Sequence, residues 1–177
     1  MTNEERKQLT EKMPYLIPRN AWTGKIVEDY DYSYIEGEYS LPPGWFKLFL
    51  LMCEEIREPL EKANLLDTFY FTQIKEKFDT MRTYTNTSTA EINDIMSRYE
   101  YISYYICQDC GQIATKATNG YIASFCDTCF EKFDAEWGGN TYTDIKIEPI
   151  YKYTRFSNEG NQTFEEDCTY ILDKLYK

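Results

Sequence analysis

The segment CQDCGQIATKATNGYIASFCDTC, residues 107–129, sets two Cys-x2-Cys pairs fifteen residues apart. No other feature restricts the fold of this chain as tightly. C-x2-C-x15-C-x2-C is the spacing of a four-cysteine zinc site. Each pair offers two sulfurs from one tight knuckle. The residues between them fold into a short hairpin, with Asn119-Gly120 as its turn. Gly111, directly after Cys110, suits a knuckle that requires positive φ. Cys107, Cys110, Cys126 and Cys129 are therefore expected to hold a structural Zn2+. Four thiolates leave no position open for water, and they make a centre of net charge −2. Both properties argue against Lewis-acid catalysis.

Charge narrows the function. The chain has 177 residues, thirty acids against nineteen bases, no histidine and a formal net charge of −11. Nucleic-acid affinity is driven by cations that displace counterions from phosphates, and a body this acidic repels that backbone. The ribbon itself has a single base, Lys116, between its second and third cysteines. The same field favours a protein partner with a basic surface and speeds its encounter. The polar start Met1–Met13 does not read as a secretory signal, and the longest apolar run, Trp45–Cys53, is too short to span a bilayer. The expectation is a cytoplasmic protein with no membrane segment. In that setting paired cysteines read as metal thiolates and not as disulfides. Cys53 and Cys168 fall on or beside apolar helical stripes and read as buried thiols.

Periodicity supplies the rest of the fold. Thr2-Asn-Glu-Glu5 is a capping box for a helix to about Lys12. After Pro42-Pro43-Gly44, the positions Trp45, Leu48, Met52 and Ile56 follow helical spacing, and Pro59 is expected to end or kink that helix near Arg57. The stretch 69–85 alternates as a hairpin with its turn near Asp79-Thr80. Ser88-Thr-Ala-Glu91 caps a helix carrying Ile92, Ile95, Met96, Tyr99, Ile102 and Ile106 inward. A helix continues past Cys129 to Trp137, and Gly138-Gly139 stops it. Residues 141–156 alternate as a strand that Pro149 confines to an edge or a bulge. Thr163-Phe-Glu-Glu166 is expected to cap a last helix with Phe164, Cys168, Ile171, Leu172 and Leu175 inward. The fold class is α+β: a small antiparallel sheet with flanking helices, a four-cysteine zinc ribbon and a C-terminal β/α extension. The expected divisions are 1–106 for the core, 107–133 for the ribbon and 134–177 for an extension packed on the core.

The runs GWFKLFLLMCEEI (44–56), QIKEKFDTMRTY (73–84), CQDCG and CDTC together resemble a family of small bacterial and phage proteins with a GW-initiated helix, a QxKEKFGxLRxY hairpin and a C-terminal four-cysteine ribbon. The resemblance covers roughly residues 13–129 and implies architecture and zinc, with no settled activity. The chain departs from it at Asp79, where the pattern has Gly, and at Met81, where it has Leu.

Two surfaces qualify as working faces. Lys75, Lys77 and Arg82 form the densest positive spot and would suit an anion or an acidic loop. Tyr30, Tyr32 and Tyr34 alternate with Asp29, Asp31 and Ser33, and this acidic, aromatic segment would suit a basic target. There is no Ser-His-Asp set, phosphate loop or GxGxxG motif, so the chain is expected not to be an enzyme. The leading expectation is an acidic zinc-binding protein that acts by protein–protein interaction, in its specific form a phage-type inhibitor or modulator of a host or defence protein. The alternatives are a nucleic-acid-associated regulator working through Lys75, Lys77 and Arg82, and a hydrolase built on converging carboxylates.

Overall fold

The computed structural model describes residues 3–20, 22–27, 41–139, 141–157 and 160–177. Tyr30, Tyr32 and Tyr34 lie outside the described residues. The described elements are α1 (Asn3–Lys12), α2 (Phe46–Lys62), β1 (Phe71–Lys77), β2 (Thr80–Thr85), α3 (Ala90–Ser103), β3 (Lys116–Thr118), β4 (Ser124–Phe125), α4 (Asp127–Trp137), β5 (Tyr142–Asp144), β6 (Ile150–Ser157), β7 (Gly160–Asp167) and α5 (Thr169–Tyr176). The class is α+β, with small antiparallel sheets flanked by helices. No helix among the described residues is long and apolar enough to cross a membrane.

The main core lies between α2, α3 and the β1–β2 hairpin. Leu48, Phe49, Met52, Cys53, Ile56 and Leu60 of α2 meet Ile92, Ile95, Met96, Tyr99 and Ile102 of α3, all buried. Phe71, Ile74 and Met81 close the hairpin side. α3 begins at Thr89, whose hydroxyl accepts from the Ile92 N–H at 3.3 Å, one residue later than the capping box Ser88–Glu91 predicts. A side-chain oxygen there satisfies one of the orphan amides of the first turn. Cys168, Ile171 and Leu175 bring α5 into the same core, and Cys53 and Cys168 are both fully buried.

Three local expectations give way to packing. Pro59 does not end α2, which runs on to Lys62. Proline deletes its own N–H and crowds the carbonyl four residues back. The last turn is nevertheless held by Leu60, buried in the core, and by the Leu65 N–H donating to Leu60 O at 2.9 Å. The β1–β2 turn is Phe78-Asp79, with Lys77 opposite Thr80, one residue earlier than predicted. Both turn residues have positive φ, 52° and 62°, the geometry that suits a two-residue hairpin to strand twist. Thr163 does not cap a helix: residues 160–167 form β7, paired to β6 along its length, and only Thr169–Tyr176 is helical. Pairing with the aromatic, β-branched β6 outweighs the capping pattern. Phe164 stacks on Tyr153 with centroids 5.2 Å apart, and Tyr153 stacks on Tyr151 at 5.5 Å.

The ribbon has a small core of its own, formed by Cys107, Ala123, Phe125, Cys129 and Phe130. Its sheet has the order β4-β3-β5, so the segment that begins the expected extension contributes a strand to the ribbon.

Candidate metal centre

The four sulfurs of Cys107, Cys110, Cys126 and Cys129 lie within 4.8 Å of one another. Cys110 and Cys126 are 3.6 Å apart at Sγ, far beyond a disulfide bond of about 2.05 Å. An ion bonded tetrahedrally to four sulfurs at about 2.3 Å implies sulfur–sulfur edges of about 3.8 Å. The donor set and its spacing therefore fit a metal ion.

Local structure explains the convergence. The first knuckle is closed by the Gly111 N–H donating to Cys107 O at 3.0 Å, with Gly111 at φ 74° as the cysteine spacing predicts. The second knuckle opens α4, where Cys126 is the residue before the first turn. The hairpin β3–β4 joins them, with Gly120 at φ 96° in its loop. Burial pushes the Cys107 thiol up to about 11, opposed by backbone N–H donation from Cys110, Cys126 and Asp109. Burial also works against the Cys110 thiolate, but donation from the Gln112 backbone and the neighbouring thiols outweighs it and brings this group below its usual value. A bound cation would favour the thiolate form of all four.

The centre is fastened to the main core through the Gly44-Trp45 pair, through Tyr176 and, third, through Asp79. Gly44 lies directly against the first knuckle: its N–H donates to Gln108 O at 2.7 Å, and a Cβ there would stand 2.1 Å from Cys107 O. Trp45, fully buried, donates from Nε1 to Ile106 O at 2.9 Å. These contacts give the Gly-Trp pair a physical reason, which is close approach followed by an anchor. Tyr176 donates from its hydroxyl to Gly111 O at 2.9 Å. A groove of about 500 Å³ runs between Pro43, Lys47, Cys110 and Tyr176.

The third fastening is Asp79, fully buried. Its Oδ1 accepts from Gln108 Nε2 at 2.7 Å and from the Ser124 N–H at 2.8 Å, and its Oδ2 accepts from the Ser124 hydroxyl. Burial raises this carboxyl's pKa, and the donors from Ser124 and Gln108 oppose the rise. The departure from Gly at this position is thus a tie between the hairpin turn and Gln108, directly after Cys107, and Ser124, two residues before Cys126.

The expected anion site is not a free cationic cluster. Lys75 and Arg82 face each other across the hairpin, but Arg82 ion-pairs with Glu100 of α3. Lys75 lies over the Tyr84 ring at 5.3 Å and Lys77 over Phe78 at 5.5 Å. The ribbon's Lys116 is paired to Asp127 and sits over Tyr142 at 5.1 Å.

One carboxylate cluster emerges that sequence reasoning missed. Glu55 accepts from Tyr170 at 2.7 Å, Tyr99 at 2.8 Å and Lys174 at 2.9 Å. Arg98 lies 3.6 Å from Glu55 and 2.6 Å from Glu166. The signal was present as Arg98 on the apolar stripe of α3, between Ile95 and Ile102. Burial raises the Glu55 pKa, but the donors Lys174, Tyr170 and Tyr99 outweigh it and hold the group below its usual value. The cluster joins α2, α3, β7 and α5.

No protein-family model matches the chain, and neither curated proteins nor solved structures give a match.

Proposed function

We propose that this protein is a zinc-stapled binding module, in which Zn2+ is saturated by Cys107, Cys110, Cys126 and Cys129 and the work is done by an acidic exterior that engages a basic protein surface. The observation that carries the zinc assignment is the convergence of four sulfurs within 4.8 Å, with no other donor type grouped with them among the described residues. Soft thiolates in tetrahedral array select zinc over the hard, oxygen-seeking divalent ions. Such a centre contributes about 10–16 kcal/mol of apparent folding free energy, against a net stability of about 5–15 kcal/mol for a typical domain. Its role here is to hold the ribbon shut, not to activate water.

The protein-binding half of the reading rests on charge, −11 over the whole chain. The pairing of Arg82 with Glu100 weakens the case for the hairpin as a phosphate site. A modulator of a basic, nucleic-acid-binding host or defence protein is the form of the reading that agrees with the sequence resemblance. Anaerobically purified protein is expected to contain one zinc per chain by elemental analysis. Cobalt substitution should give the intense visible bands of a tetrathiolate. Immobilised protein should retain basic proteins that elute as salt rises. Sub-stoichiometric zinc, or a bound water at the metal, refutes the staple. Retention that ignores salt refutes the charged interface.

A further inference from the structure

Among the described residues the ribbon sheet ends in an open edge. Among the described residues β5 pairs with β3 alone. The Asn119 N–H donates to Thr141 O at 2.9 Å, and the Ile145 N–H donates to Thr115 O at 2.9 Å. Residues 141 and 145 therefore turn their backbone groups toward β3, and so does 143 between them. The alternation of a strand then turns the N–H and C=O of Tyr142 and Asp144 outward. Residues 141–144 are all exposed. An open edge of this kind is a template for another strand.

The surroundings of the edge state what that strand must be. Phe130 of α4 packs against Tyr142 with centroids 4.9 Å apart, which sets α4 against one face of the edge strand. Along α4 the chain carries Glu131, Asp134 and Glu136 against Lys132, and along 141–148 it carries Asp144 and Glu148 against Lys146, while Lys116, opposite Asp144, is paired to Asp127. Trp137, at the end of α4, is 70% exposed, and Tyr142 is 46% exposed. Large aromatic side chains in water beside carboxylates supply contact area and long-range attraction for a cationic strand. A second copy of this chain is a poor occupant, because each copy carries a charge of −11 and the pairing would bring two acidic edges together.

We propose that the outer edge of β5 is a docking site for an extended, cationic segment of a partner protein, which adds to the ribbon sheet as a fourth strand. This rests on the protein-binding reading above and names its surface. Main-chain hydrogen bonds supply affinity in such strand addition, and side-chain complementarity supplies choice.

The test uses the zinc-loaded full chain and a labelled eight-residue peptide of alternating lysine and valine, read by fluorescence anisotropy and by amide NMR. A second peptide carries N-methyl groups on alternate backbone nitrogens, so it keeps its charge and loses its edge donors. We expect the amides of Tyr142 and Asp144 to shift on binding. N-methylation should weaken binding about tenfold, the loss of roughly 1.4 kcal/mol. Asp144→Lys should weaken it about threefold or more, whereas the peptide comparison on unaltered protein does not depend on how that variant folds. Equal binding of both peptides, with affinity falling in salt, overturns the edge site and leaves the acidic-surface reading standing. Failure of both peptides to bind overturns both readings. Concentration-dependent dimers that occupy the β5 edge without peptide also overturn the proposal.

Discussion

Adding one methyl group at Gly44 should undock the first cysteine knuckle. An ideal Cβ at this position would lie 2.1 Å from Cys107 O, 2.5 Å from Gly111 N and 2.7 Å from Gln108 O. Ordinary contacts lie at about 3.5–4.0 Å, so the knuckle must retreat by roughly an ångström or more. All three obstructing atoms belong to the backbone, and no side-chain rotation relieves them. Overpacking of this kind costs about 1–3 kcal/mol. The retreat also stretches the bond from the Gly44 N–H to Gln108 O, now 2.7 Å, which is worth about 0.5–1.5 kcal/mol. Gly44→Ala should therefore lose about 1.5–4.5 kcal/mol, summing the two costs. For a chain of this length the middle of that range lowers Tm by about 6–12 °C. Calorimetry of the zinc-loaded variant measures the loss, and competition with a chromophoric chelator should show faster release of metal. Stripping the metal should narrow the gap between variant and wild type, because a knuckle that is not held closed retreats from the added methyl at less cost. A loaded variant within about 0.5 kcal/mol of wild type, the scatter of neutral surface changes, would refute the contact between Gly44 and the knuckle.

Asp79→Gly should destabilise the protein by about 2 kcal/mol even though glycine suits φ 62°, because the buried donors of Ser124 and Gln108 lose their acceptor; urea unfolding measures it, and a stabilised variant refutes the tie. Glu55 is held below its usual pKa by Lys174, Tyr170 and Tyr99 against the effect of burial, so its contribution is present above the unfolded value of about 4.3 and is lost as pH falls through the folded one. Glu55→Gln should accordingly flatten the acid limb of the stability profile below that pH, and an unchanged difference between variant and wild type across the limb counts against the cluster.

The elements set by strong periodicity were legible in the residues. The α3 stripe from Ile92 to Ile102, the α2 stripe from Leu48 to Ile56 and the paired cysteines all occupy the places their spacing predicts. What failed was local chemistry set against long-range packing. Pro59 removes a hydrogen bond from the helix, whereas Leu60 and Leu65 hold the last turn. The Thr163–Glu166 pattern predicts a cap, but the same residues pair with β6 as a strand. The Glu55–Arg98–Glu166 cluster joins residues 43 and 68 positions apart along the chain, and no local pattern carries that information. At the candidate metal centre the four cysteines are visible in the sequence, but their fastenings are not. Asp79 reads as an odd turn residue until its carboxylate is seen between Gln108 and Ser124.

The fastenings of the ribbon have a consequence for the order of events during folding. Each cysteine knuckle is a local loop, whereas Trp45 reaches Ile106 across 61 positions and Tyr176 reaches Gly111 across 65. Short loops close early and distant contacts close late. Metal capture can therefore precede assembly, so that a small preloaded node waits while segments from opposite directions along the chain find it. Cells short of the ion would then stall the process at its first step.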